Sequence, residues 1–315
     1  MNLRKLGRSG LEVSPIAFGG NVFGWTADEA MSFQLLDRFV DEGYNFIDTA
    51  DVYSKWAPGN KGGESETIIG RWLRKSGKRD KVIIATKVGM EMPPDRKGLA
   101  PAYIARAVED SLVRLQTDRI DLYQSHTDDA TVPLADTLGA YDTLIKAGKV
   151  RAIGASNYSA ERFEEALGVS REHRLPRYES MQPNYNLLDR ADFEQRMRDV
   201  CIENDVGVIS YFSLASGFLT GKYRSVADLA RGPRGQMVKK YLNERGSRVL
   251  DALDAVAKDK GSTPGRVAIA WLLAQPAVTA PIASATSIPQ LEDLFEAAKL
   301  ALDAASLKRL DEASR

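Results

Sequence analysis

The sequence predicts a (β/α)8 TIM barrel, eight parallel strands closed into a ring and wrapped in helices, and three observations lead there. Short β-branched, apolar segments alternate with longer helical patterns along the chain. The strand segments are apolar along their length instead of at every second residue, as strands covered on both faces require. No Pro/Ser-rich linker interrupts the 315 residues, a length that one α/β barrel accommodates. One domain over residues 1–315 is therefore expected, with an open doubly wound sheet as the competing arrangement.

The first elements form a hairpin. Residues 3–5 and 11–13 flank a Gly7-Arg8-Ser9-Gly10 turn and are expected to close the amino-terminal end of the barrel. Barrel strands are expected at residues 16–20, 45–50, 82–87, 120–126, 150–156, 178–182, 207–212 and 279–284. Helical patterns follow at about residues 28–42, 63–76, 101–116, 134–147, 160–173, 188–204, 243–260 and 287–300, with extra helices near the carboxyl terminus at 263–274 and 306–313. Thr26 and Glu29 have capping-box spacing before a face of Phe33, Leu36 and Val40. Pro133 and Pro264 stand where helices begin.

Composition removes several classes of function. The 43 basic residues balance 43 acidic ones, so no net field gathers nucleic acid or an anionic membrane. The amino terminus lacks the apolar core of a signal peptide, and no run approaches the roughly 20 apolar residues of a membrane helix. A cytoplasmic protein is expected. The single cysteine, Cys201, reads as a buried thiol, and with only His126 and His173 beside it no metal-ligand cluster is spelled out.

Chemistry in such a barrel belongs at the carboxyl ends of the strands. Strand two ends in Phe46-Ile47-Asp48-Thr49-Ala50, strand three in Ala85-Thr86-Lys87 and strand four in Tyr123-Gln124-Ser125-His126. An acid, a base and an imidazole then face one mouth, and Tyr53, five residues past Asp48, returns a phenol over it. An unperturbed phenol, with a pKa of about 10, is a weak acid at neutral pH. A neighbouring ammonium, Lys87 held by Asp48, is expected to lower that value. This is equipment for delivering a proton while a hydride arrives from a cofactor. No Gly-x-Gly triplet occurs, so a dinucleotide has to be held without the Rossmann fingerprint. Asp48 and Lys87 also fit a purely structural ion pair, and Lys87 a Schiff-base amine, which pairing with Asp48 disfavours.

Six strings, residues 46–53, Thr86-Lys87, residues 123–126, Gly154-Ala155-Ser156-Asn157, residues 182–186 and residues 217–222, together resemble the aldo-keto reductase superfamily, in order through nearly the whole chain. The resemblance implies a single barrel that binds NADPH, with NADH possible, and reduces small aldehydes and ketones. It implies that Tyr53 is the general acid, that Asp48 and Lys87 tune it, and that His126 positions the carbonyl. It places Gly20, Asn21, Ser156, Asn157, Gln182 and Tyr211 at the nicotinamide. Phe212, Ser213, Leu214, Gly217, Leu219, Gly221 and Lys222 fall on the loop over the pyrophosphate, and Ser284, Thr286, Gln290 and Asp293 at the adenosine.

The adenosine end departs from the family pattern: Leu294 replaces an asparagine, and no arginine stands at Thr286 or Ser287. Arg231 or Arg234 is the candidate replacement charge. Trp25, Trp56 and residues 90–92 are candidate pocket walls, Trp25 foremost, and residues 227–241 a candidate flap. A cofactor-bound redox sensor with little turnover, as among channel-associated relatives, is the alternative function. The substrate's identity is open, and a monomer is the default.

Overall fold

The computed structural model describes residues 2–92, 96–232 and 234–315. Arg4–Lys5 (β1) pairs antiparallel with Glu12–Val13 (β2), forming the expected hairpin. Eight parallel strands follow: Ala17–Gly19 (β3), Phe46–Asp48 (β4), Ile83–Val88 (β5), Ile120–Ser125 (β6), Val150–Ser156 (β7), Tyr178–Gln182 (β8), Gly207–Val208 (β9) and Ile282–Ala283 (β10). From β4 to β9 each pairs with its predecessor, and β10 pairs with β3. The remaining edges are joined by bonds from Thr279 N–H to Val208 O (2.8 Å) and Ile282 N–H to Ser210 O (2.8 Å), which close the barrel and exclude an open sheet.

Helices α1 (Glu29–Asp41), α2 (Glu64–Ser76), α3 (Pro101–Leu115), α4 (Leu134–Lys146), α5 (Ala160–His173) and α6 (Arg198–Glu203) surround it. They are followed by a short α7 (Gly235–Val238), α8 (Glu244–Asp259), α9 (Pro264–Leu273), α10 (Ile288–Lys299) and α11 (Ala304–Ser314). Among the described residues no helix is long and apolar enough to cross a membrane. Cys201 is fully buried, which pushes its thiol up to about 12.

The pleat sorts each strand into two faces. Phe46, Ile83, Ala85, Leu122 and Ala152 point inward, where Leu6, Leu11 and Val13 of the hairpin join them in one apolar cluster. Ile47, Ile84, Tyr123 and Ile153 point outward into the larger core under the helices. The hairpin is thus a plug for the bottom of the barrel, and Arg4 fastens it by donating to Val278 O (3.1 Å).

Some local expectations fail. Asp28, not Thr26, caps α1, its Oδ1 accepting from Met31 N–H at 2.8 Å. The N–H of Thr26 is drawn into a tight turn by Val22 O (3.0 Å). Pro133 caps α4 from just outside it, whereas Pro264 does open α9. The single helix expected over 188–204 is broken by a π-helical turn at Phe193–Met197. The candidate flap is a packed segment of helical turns with Leu229, Val238 and Tyr241 buried; its Pro233 lies outside the described residues.

Candidate active site

The alternation that fills the barrel bottom also builds the layer above it. Asp48 lies two residues past Phe46, Lys87 two past Ala85, and Gln124 two past Leu122, so all three point inward on top of the apolar layer. Gln182 and Ser156 complete that level from β8 and β7, where they are paired in register. A Cβ at Gly154 would fall 2.1 Å from Ser180 Oγ, so glycine there lets that serine keep its place beside the strand.

Asp48 and Lys87 are fully buried and joined at 2.8 Å. The ammonium spends its three donors on Asp48 Oδ2, Thr49 O and Tyr53 Oη, each at 2.8 Å. Gln182 Nε2 donates to Asp48 Oδ1 at 2.9 Å, and Gln124 Nε2 does so at 3.4 Å. Removing one partner from such a buried pair costs about 3–5 kcal/mol, because the other charge is left uncompensated. The Tyr53 ring stands edge-on to His126 with centroids 5.9 Å apart.

The net electrostatics differ from expectation in sign. Burial, with Asp48 as second cause, raises the Tyr53 phenol well above its ordinary value despite the adjacent ammonium. Desolvation outweighs the attraction of one cation whose charge Asp48 already offsets. Burial also lowers Lys87, and burial with the charges of Lys87 and Lys55 holds His126 well below the usual imidazole range. The resting site therefore contains a protonated phenol and a neutral imidazole. Among the described residues His126 Nδ1 is buried without a partner, so the tautomer with its proton on Nε2 is the one that strands no buried donor.

A cleft of about 1010 Å³ opens over these groups. It is lined by Asn21, Ser156, Asn157, Gln182, Tyr211, Phe212, Ser213, Leu214, Gly217, Lys222, Ser284, Thr286, Gln290 and Asp293. Gly20, Leu219 and Gly221 do not reach it. Gly20 packs against Ser65 and the Asp48 backbone while Gly19 takes the lining position. Leu219 is buried, and Gly221 ends a helical turn with φ of 80°. Tyr211 Oη donates to Asn157 Oδ1 (2.8 Å), Asn157 Nδ2 to His126 O (2.9 Å), and Ser156 Oγ to Gln182 O (2.8 Å).

Left-handed backbone at Phe212, Ala215, Ser216 and Gly217 folds the loop after β9 into a curl along the cleft. The N–H groups of Ser213 and Leu214 have no acceptor among the described residues. Lys222 and Arg234 line the same cleft and form no ion pair among the described residues; burial lowers both, and for Lys222 the nearby Arg234 adds to it. Curled amides beside two uncompensated cations fit an anion of pyrophosphate type. With the Asn21 amide turned so that its nitrogen donates to Ser284 Oγ, its oxygen accepts from Arg234 Nη2 at 3.3 Å. Arg231 instead pairs with Asp228 at the surface.

At the far end Thr286 N–H and Oγ1 both donate to Gln290 Oε1, and Arg266 donates twice to Asp293 Oδ1, at 2.9 and 2.6 Å. Arg266 was not legible as a site residue, because only the packing of α9 on α10 brings it to the cleft.

The aromatic walls exchange roles relative to the sequence reading. Trp56 and Met90 line the cleft, whereas Trp25 stands behind, edge-on to Trp56 at 5.7 Å with Arg234 over its face at 5.3 Å. Met92 is buried with Ala50 and Val52. Among the described residues no group of acids, histidines and cysteines has metal-binding geometry.

Residues 15–315 match the sequence profile of the Aldo/keto reductase family. The chain is 34% identical over 320 residues to the uncharacterized oxidoreductase YrpG of Bacillus subtilis, covering 99% of this chain and 95% of that protein. It is 35% identical over 328 residues to protein tas of Escherichia coli, covering 96% and 94%. It is 32% identical over 323 residues to the aldo-keto reductase yakc [NADP(+)] of Schizosaccharomyces pombe, covering 98% and 90%. A closed barrel, a buried Asp–Lys–Tyr cluster at its mouth and likeness over almost its entire length agree, and the chain belongs to the aldo/keto reductase family of oxidoreductases.

Proposed function

We propose that the protein reduces small aldehydes and ketones to alcohols with NADPH, accepting NADH less well. The observation that carries this reading is one cleft with two chemically distinct ends. A protonated phenol and a neutral imidazole stand at one end, and curled amides with Lys222 and Arg234 at the other. The cleft's volume, about 1010 Å³, lies at the upper end of the usual small-ligand range of roughly 300–1,000 Å³, which suits a large ligand such as a dinucleotide. Arg266 supports the preference for a phosphorylated ribose, since it is the cation beside Thr286, Gln290 and Asp293.

Bound reduced nicotinamide supplies the hydride to the carbonyl carbon. The remaining steps fall to the chain's own residues. His126 Nε2–H and Tyr53 Oη–H converge on the carbonyl oxygen and orient it. As the oxygen gains charge, Tyr53 gives it the phenolic proton. The phenolate left behind is met by Lys87 at 2.8 Å, whose position is fixed by Asp48 and Thr49 O. Gln182, engaged through Nε2 with Asp48, keeps Oε1 for a carboxamide donor, with Ser156 and Asn157 beside it.

Titration of the protein with NADPH and NADH, followed by fluorescence, and addition of a neutral aldehyde panel tests the reading. Binding followed by aldehyde-dependent loss of reduced-nicotinamide absorbance is expected, with NADPH the tighter ligand. Absence of nucleotide binding would remove the proposal.

A further inference from the structure

The cleft contains a cation that the proton-transfer machinery and the dinucleotide end leave unused. Lys55 lies two residues past Tyr53, is exposed, and lines the cleft beside Trp56 and Met90. It shares the lining of this cleft with Tyr53 and His126. Its ammonium makes one hydrogen bond, at 2.6 Å to the backbone carbonyl of Glu91, and among the described residues no carboxylate pairs with it.

The direction of Lys55 is built in. Ser54 holds a left-handed backbone, φ 72°, a conformation that disfavours a residue with a Cβ. Ser54 Oγ donates to Phe23 O at 2.6 Å and Asn60 Nδ2 donates to Ser54 O at 3.0 Å, and these bonds hold the turn. The turn aims Lys55 and Trp56 at the cleft together. Trp56 is 45% exposed, its ring centroid is 6.0 Å from that of Tyr53, and it lines the cleft together with Lys55.

Among the described residues no acid lining the cleft offsets this charge. Asp48 is consumed by Lys87, and Asp293 by Arg266 at the other end. Asp51 is buried, and desolvation raises it to about 8, which favours its neutral form at physiological pH.

Resting on the reductase reading, we propose that the preferred substrates are carbonyl compounds carrying an anionic group, a carboxylate or phosphate, which Lys55 binds while Trp56 covers the carbon skeleton between anion and carbonyl. A compact ammonium on a flexible stem suits either anion as a point charge.

The test compares kcat/KM for 4-carboxybenzaldehyde with 4-methylbenzaldehyde and for succinic semialdehyde with butanal, in wild type and in Lys55→Met, which keeps the apolar stem. Glyceraldehyde 3-phosphate against glyceraldehyde separates phosphate from carboxylate. Wild type is expected to favour the anionic member by about tenfold or more, the size of one hydrogen bond to a charged group. Lys55→Met should reduce that ratio at least as far, and Lys55→Glu should reverse it. Reduction of the neutral members without an anionic preference, or a ratio indifferent to Lys55, would overturn this proposal and leave the reductase reading standing. No reduction of any member would remove both.

Discussion

His126 is the residue on which the acid–base account can be read without catalysis. Burial, with Lys87 and Lys55 adding to it, keeps the imidazole neutral, so it presents a fixed donor to a carbonyl instead of a proton that comes and goes. Because the folded value lies below the unfolded one of about 6.5, the unfolded chain binds this proton more readily. Its contribution to stability is therefore present at neutral pH and is lost as pH falls below that value. With only His126 and His173 in the chain, a His173→Gln variant leaves one ring to follow by NMR. The His126 Cε1–H resonance should stay unmoved from pH 8 to 6; a midpoint near 6.5 would contradict the neutral-imidazole assignment.

At the scale of elements, strand periodicity was the legible part and loop tertiary contacts were not. Asp48, Lys87, Gln124 and Ser156 end runs of β-branched and apolar residues, and the two-residue period alone delivers them to one interior layer. Loops have no such period. The sequence reading puts Trp25 ahead of Trp56 as a pocket wall, and the structure reverses them through the turn at Ser54 and Arg234, which arrives from more than two hundred residues away. The curl after β9 likewise carries Gly217 to the cleft and turns Leu219 from it. The hairpin offers a test of the separation between stability and chemistry. Leu11 is 1% exposed in the bottom cluster, so Leu11→Ala should cost about 2–5 kcal/mol in denaturant unfolding while turnover of the folded protein changes little. A loss of turnover without a loss of stability would mean that the plug reaches the active end.

Across the whole molecule, the barrel separates its tasks by height. Apolar side chains and the hairpin fill the lower interior, charged and polar side chains occupy the layer above, and the loops after the strands supply the cleft. The balanced total charge conceals a cationic cleft, lined by Lys55, Lys222, Arg234 and Arg266 against one acid, Asp293. The charge balance disfavours a polyanion partner but is blind to this local field, which suits an anionic cofactor.

The central claim is that Tyr53 delivers the proton in a nicotinamide-dependent carbonyl reduction, and the most direct measurement is the Tyr53→Phe variant. Phenylalanine removes the hydroxyl and keeps the ring against His126 and Trp56. NADPH affinity by fluorescence titration should be nearly unchanged, while aldehyde-dependent oxidation should fall by about 10²–10⁴-fold, the range of a positioned general acid. Turnover undiminished in a variant that still binds NADPH would contradict the account and transfer the proton to another donor.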